Sequence, residues 1–517
     1  MRICLFSFAL LLVLLASAGY SGDVSASSHI DRLVQGRLNE LGIPASKQCS
    51  DAVFLRRVYL DVIGTMPTVS EAKAFLADSS PDKRRALVDE LLSRSEFAEY
   101  WTLKWCDLLK VKAEFPSNLW PNGAQAYYVW IRDCLRENVP YDRFARELLT
   151  ANGSNFRVPP VNFFRAFAEK NASNILESAA LIFMGARTRN WTEDQRRGMA
   201  AYFAEVGYKN TLEWKEEIVF HDQNGKLVDP VTGQKLLPVP LNGQPVAIPA
   251  GADPRVAFVD WLLKPDNPWF ARNIVNRVWY WLLGRGIIHE PDDIRPDNPA
   301  QNEALLAFLE KELRSHDYDL KHIYRIILNS DTYQLSAEPV PGNKADVSNF
   351  SHYLVRSLDA EVLIDAVCMI TGTTEKYKSL IPEPFTYIPE CKRAVELEDG
   401  SISSPFLELF GRPSRDTGYE SERNNEPSTS QRLHMLNSTH IQNKIARGDG
   451  LRKGMRSTMT EKEVTQKLYL SILSRFPTEA EENRIREYVR AAKLDRKDAL
   501  CDIAWALFNS KEFLYKH

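Results

Sequence analysis

The chain has 517 residues, of which 44% are hydrophobic and 26% charged, with a net charge of −3. This composition is that of a globular protein, and the length predicts about two or three domains rather than one small core. No long Lys/Arg block occurs, so nucleic-acid binding has no electrostatic support and is not expected.

The only long apolar run lies at the N-terminus. Arg2, the stretch Ile3 to Leu15 and the small-residue site Ala16-Ser17-Ala18 before Gly19 read as a signal peptide over residues 1–18. The apolar core is too short for a comfortable span, although an uncleaved anchor is the competing reading. The expected location is extracytoplasmic, periplasmic or secreted, with no membrane span after signal cleavage. Six cysteines remain after Cys4 is removed: Cys49, Cys106, Cys134, Cys368, Cys391 and Cys501. None forms C-x-x-C, so zinc ribbons and c-type haem attachment are unsupported, and disulfides and buried thiols are equally open.

Residues 28–213 read as an N-terminal helical domain. Apolar periodicity from Ile30 to Leu41 ends at Gly42. Ser50 caps a helix through Val62, and Thr68-x-x-Glu71 and Thr192-x-x-Gln195 are capping boxes. Ser80-Pro81 predicts a further start, and helices follow near 96–111, 123–138, 142–150, 172–187 and 193–206. Residues 214–252 change character. Ile218-Val219-Phe220 before Asn224-Gly225, and Leu236 to Leu241 before Asn242-Gly243, predict a small β-hairpin insert. A second helical domain then covers 253–517, with helices near 268–283, 299–313, 319–331, 358–371, 461–474, 479–492 and 497–513. A linker over 336–350 and a long polar loop over 373–429 interrupt it. The fold class is therefore mainly α, with two helical domains, a β insert and long irregular loops.

Two constellations stand out. On the 268–283 helix, Asn273, Asn276, Arg277 and Tyr280 share one face between apolar flanks. Gly284-Arg285-Gly286 ends that helix, and Glu290, Asp292 and Asp293 follow. A buried Arg needs a carboxylate, so Arg277 or Arg285 is expected to pair with Asp292 or Asp293 and pin the loop. The sharper reading is a paired-carboxylate acid/base site. Between Arg412 and Arg432 the only large apolar-bodied side chain is Tyr419. Glu420, Glu422 and Glu426 lie there among arginines, and His434 follows. A loop this long is expected to be a solvated or disordered interface, or a ligand site. His316 and His322 read as surface residues, and His434 and His440 as residues that share no helical face. No H-E-x-x-H, G-x-S-x-G, P-loop or EF-hand spacing occurs, and no metal is expected. The tryptophans are expected in the core.

These residues resemble a known pair of families. Phe54-Leu-Arg-Arg-Val-Tyr-Leu-Asp61, Gly64-Thr-Met-Pro67, Pro140-Tyr-Asp-Arg-Phe144 and Trp191-Thr-Glu-Asp194 carry the likeness in the first half. Asp266-Asn-Pro268, Asn276-Arg-Val-Trp279, Gly284-Arg-Gly286, Asp292-Asp293, Phe410-Gly-Arg-Pro413, Glu422-Arg423, Glu426-Pro427, Leu433-His-Met-Leu-Asn437 and Ala504-Trp-Ala-Leu-Phe-Asn-Ser-Lys-Glu-Phe513 carry it in the second. The chain resembles the planctomycete-type paired families of unknown function 1549 and 1553, of cytochrome-associated type. Many such relatives carry C-x-x-C-H where Gly185-Ala-Arg-Thr-Arg-Asn190 stands here, and C-E-C-E-R where Tyr419-Glu-Ser-Glu-Arg423 stands. Neither family implies an activity, and with both thiol pairs replaced haem is not expected.

The reading that follows is a non-redox extracytoplasmic binding or scaffold protein with an extracytoplasmic protein partner and a carbohydrate as the other candidate partner. The company such relatives keep implies polysaccharide metabolism by association only. The alternative is a carboxylate-based hydrolase of glycans or esters with Asp292, Asp293, Glu420 and Glu422 as acid/base candidates. A remnant of a haem-linked electron-transfer family is the second alternative. Asn276, Arg277, Arg285, Arg412, Arg423 and His434 are the candidate ligand-binding residues, and no cofactor is predicted.

Overall fold

The computed structural model describes residues 23–229, 232–451, 459–493 and 495–517. The signal-peptide reading lies outside them. The fold is mainly helical, and no described helix is long and apolar enough to cross a membrane.

Local signals set most helix boundaries. The first helix, 23–41, stops at Gly42, whose φ is +67°. The Ser50 hydroxyl accepts the Val53 N–H and opens Asp51–Val62. Both halves of the capping box form at Thr68 and Glu71 before Val69–Ala77, and again at Thr192 and Gln195 before Glu193–Ala200. Each such cap satisfies a first-turn N–H that would otherwise be orphaned, worth about 1 kcal/mol. The helices Ser95–Leu108, Pro121–Arg136, Tyr141–Thr150 and Ala172–Met184 complete the first half. Two proline-based starts are shifted. Pro81 lies in a turn, and its helix begins at Lys83 without a side-chain cap. Asn302, not Pro299, starts Glu303–Ser315, because its side chain accepts the Leu305 N–H.

The β insert differs from the sequence expectation. Glu217–His221 pairs backwards with Val206–Asn210 across the turn at 211–216, and its other edge takes Gly153–Ser154. Both hydrogen-bonding edges of the central strand are thus filled. The segment 236–241 forms no strand, since Pro238 and Pro240 have no N–H to donate. The helix expected over 193–206 ends early because Val206 already belongs to the sheet.

One apolar core runs through both halves of the chain, from Ala26 to Phe513. Trp101, 1% exposed, lies 5.2 Å from the Trp281 ring, and Tyr141 stacks on Phe270 at 4.7 Å. The C-terminal residues return to the N-terminal half. Arg57 donates to the carbonyls of Tyr333, Leu335 and His517, and Arg56 to those of Ile472 and Phe513. Tyr515–Lys516 pairs antiparallel with Arg356–Ser357. The 336–350 segment is irregular but tied down: the Asn343 amide donates to Ser46 Oγ. All six described cysteines are free thiols, and Cys49, Cys106 and Cys134 are buried.

Candidate functional site

The polar stripe on Phe270–Leu283 is buried except at Tyr280, which is partly exposed. Asn273, Asn276 and Arg277 are each 0% exposed, and each holds backbone or loop. Asn273 donates to the Ile182 carbonyl. Asn276 both donates to and accepts from the Ile288 backbone, at 3.0 and 2.9 Å. Arg277 Nη2 meets Asp292 Oδ1 at 2.6 Å. The second Asp292 oxygen accepts the Glu420 N–H at 2.7 Å. The two constellations therefore meet, and Asp292 is the joint. Arg277 Nη1 lies 3.5 Å from Glu420 Oε2, which also accepts the Trp281 indole N–H at 3.1 Å.

The long loop is solvated only in part: Ser421, Asn424 and residues 426–430 are exposed. The side chains of Arg412, Arg415 and Arg423 are buried and matched to carboxylates far away in sequence, whereas Arg432 is exposed. Arg415 meets Asp107 at 2.9 Å and donates to the carbonyls of Val111 and Glu398. Arg423 bridges Asp107 at 2.6 Å and Glu361 at 2.7 Å. Arg412 faces the other Glu361 oxygen at 3.4 Å, and burial with Arg415 nearby pushes its guanidinium down to about 10. Glu422 accepts from the backbone N–H groups of Asp416, Thr417 and Gly418 and from two hydroxyls, so it closes the loop on itself. Gly411 has a φ of +84°, and a Cβ there would overlap the Asn424 carbonyl.

Above this lattice opens a cleft of about 570 Å³. Its walls are the Ser95–Leu108 helix, the end of Phe270–Leu283, the Arg356–Ser357 strand pair and loop residues 420–427. Lys104 Nζ meets Asp359 Oδ2 at 2.9 Å, joined by the Tyr100 hydroxyl at 3.2 Å. Asn425 donates to the other Asp359 oxygen at 2.7 Å. Beneath them Asp61, its side chain 0% exposed, accepts from the hydroxyls of Tyr333 and Tyr353 and meets Lys516 at 3.0 Å and Arg356 at 3.4 Å. Lys104, Arg356, Arg423 and Lys516 are thus offset by Asp359, Glu420, Glu426 and Asp61.

Two of the three carboxyls that line this cleft are pushed in opposite directions. Burial would raise Asp359, but Lys104, Arg423 and Lys516 hold it well below the usual carboxylate range. Burial raises Glu420, and Lys104 and Arg277 only partly oppose it.

Of the residues proposed from sequence, Glu420 and Arg423 line the cleft. Arg277 and Asp292 lie packed beneath it, and Arg412 and Glu422 brace the loop. Asp293 faces away, bonded to Asn190 and Arg295. Arg285 is half-buried, forms no pair with Asp292 or Asp293, and its Nε is without a partner among the described residues. His434 belongs elsewhere: the helices Thr429–Asn437 and Thr439–Arg447 break at Ser438, which brings His434 to 3.2 Å from His440. His440 in turn meets Glu375 at 2.8 Å. Sequence reasoning missed Asp61, Lys104, Asp107, Asp359, Glu361 and Lys516. The one local signal was Arg56, Arg57 and Asp61 inside an otherwise apolar helix.

The segments that depart from the family pattern also touch. Arg187 lies 5.3 Å over the Tyr419 ring and pairs with Glu290 at 2.6 Å.

Two family models match the chain. Residues 254–489 match one described as a protein of unknown function (DUF1553), and residues 29–203 match another so described (DUF1549). No curated protein and no solved structure matches.

Proposed function

For a chain that belongs to the paired families of unknown function 1549 and 1553, we propose a non-redox extracytoplasmic binding protein whose cleft takes a neutral polar ligand of carbohydrate type and which works with secreted partners. The observation that carries this reading is an open cleft whose four lining cations face three lining carboxylates and Asp61 beneath them, and which also presents Tyr100, Tyr280, Trp281 and Tyr515. A site of either net sign would select a charged ligand. A balanced one, rich in paired donors and acceptors beside aromatic faces, favours hydroxyl-bearing rings. Arg187 and Tyr419, which belong to the two segments where many relatives carry thiols, support the non-redox part. The N-terminal sequence supports export. An exposed aromatic patch supports a protein partner: Trp120, Trp214 and Phe385 lie 4.8–5.4 Å apart, with Trp214 61% exposed.

The test is calorimetry of the purified chain against neutral and anionic oligosaccharides. Neutral glycans should bind, and Tyr280→Ala should weaken them about tenfold, or roughly 1.4 kcal/mol. Binding confined to polyanions, or no glycan binding, overturns the reading.

A hydrolase is the second reading, favoured by the opposed carboxyls. Glu420, raised by burial, suits a general acid, and Asp359, held ionised, suits its counterpart. Asp292, Asp293 and Glu422 are spent on structural bonds. Release of reducing ends by the purified chain, lost in Glu420→Gln, supports this reading. Intact glycans after prolonged incubation count against it.

A further inference from the structure

A second cluster lies away from the cleft, where the helix Glu303–Ser315 turns back into Leu320–Leu328. The sequence reads His316 and His322 as surface residues, but His322 is 4% exposed. Asp317 and Tyr318, both with positive φ, make the turn tight. It brings the two imidazoles face to face, 3.7 Å between centroids and 19° between planes. Glu312 sits one helical turn before His316 and reaches both rings.

We propose that Glu312, His316 and His322 hold a divalent transition-metal ion of the zinc class. The donor atoms of all three lie within 4.8 Å of one another. Glu312 Oε2 is 3.1 Å from His322 Nε2 and 3.5 Å from His316 Nδ1. A tetrahedral ion with bonds of about 2.0–2.1 Å sets its ligands about 3.3 Å apart, close to both Glu312 spacings, and the stacked rings must tilt apart for both imidazoles to face that ion. Two imidazoles and a carboxylate are a donor set suited to zinc-like ions.

An independent contact supports the assignment. His322 Nδ1 lies 3.2 Å from Asp23 Oδ1. A ligating histidine that gives its other ring N–H to a carboxylate is oriented for metal, and its basicity rises. Asp23 then serves as the outer partner, while Arg325 at 3.9 Å steadies its remaining oxygen. His316 Nδ1 also lies 2.9 Å from the Glu312 carbonyl. Its side chain is 46% exposed, so a small rotation exchanges that contact for a metal bond. The same exposure leaves an entry path and a fourth position for water.

Equilibrium dialysis of the purified chain against Zn²⁺ alone, with metal analysis, tests this. One ion should bind per chain. His322→Gln and Glu312→Gln should each weaken it at least about 100-fold, and Asp23→Asn about 10-fold to 100-fold. His316→Gln, at an exposed position, should fold normally and still lose the ion, which keeps the test decisive if a buried variant fails to fold. No bound Zn²⁺, or binding unchanged in His316→Gln, overturns the proposal.

Discussion

Arg277 and Asp292 form a closed ion pair, 2.6 Å from Nη2 to Oδ1, with side chains 0% and 1% exposed. Because the other Asp292 oxygen holds the Glu420 amide, this pair fixes where the long loop begins its passage along the cleft. Removing one partner strands a buried charge. Asp292→Ala should cost about 3–5 kcal/mol in urea denaturation. The double variant with Arg277→Met should cost less than the sum of the singles, since the stranded guanidinium is gone.

Arg423→Lys should be far from conservative. The guanidinium spans Asp107 and Glu361 with two different nitrogens, which an ammonium on a flexible stem does not reproduce. A loss of about 1–3 kcal/mol is expected from the oxygens left unpaired, read as a shift in the denaturation midpoint.

Asp359 predicts a defined acid limb. Burial opposes its ionised form, yet Lys104 and its neighbours hold the folded carboxyl below its unfolded value near about 4. Its stabilising contribution is complete above that unfolded value and is lost as pH falls through the folded one. Glu420, raised by burial, runs the other way: its contribution is complete below the unfolded value and fades as pH rises through the folded one. Asp359→Asn should therefore be less stable than the parent at pH 6, with the two melting curves drawing together as pH falls below the unfolded value of about 4.

Gly411→Ala should disturb the cleft from behind. The new Cβ meets the Asn424 carbonyl at a φ that L-residues rarely adopt, so a loss above about 1 kcal/mol is expected. Asn424 and Asn425 line the cleft, so glycan affinity measured by calorimetry should fall with it.

Trp214→Ser separates partner binding from folding. The side chain is mostly exposed, so thermal stability should stay within about 0.5 kcal/mol of the parent. Capture of secreted partner proteins from a native envelope extract should drop. Undiminished capture would remove the aromatic patch from the partner reading.

Much of the fold was legible because its determinants are local. The boxes at Thr68 and Thr192 involve atoms three residues apart, and Gly42 and Gly284 end helices through their own φ. The pairing of Arg277 with Asp292 also spans only 15 residues. The strand at Val206–Asn210 was hidden because helix-like spacing runs into it, and the Asn224-Gly225 signal carried no information on which edge was already filled. The long loop misled for a related reason. A run of arginines and glutamates reads as solvated until its partners are known, and Arg415 finds Asp107 from 308 residues away. His316 is exposed as its sequence suggests, but His322 is buried because a tight turn, not a periodicity, stacks it on His316.

The sequence by itself determined a mainly helical chain, the caps of its helices and the polar stripe that anchors the 288–292 loop. These follow from hydrogen bonds between near neighbours, which residue type and spacing decide. Only the tertiary structure decided which carboxylates face a cleft and which are consumed in packing. Asp359 and Glu420 reach the opening, whereas Asp292 and Glu422 do not, because the fate of a buried charge depends on cations delivered by distant helices.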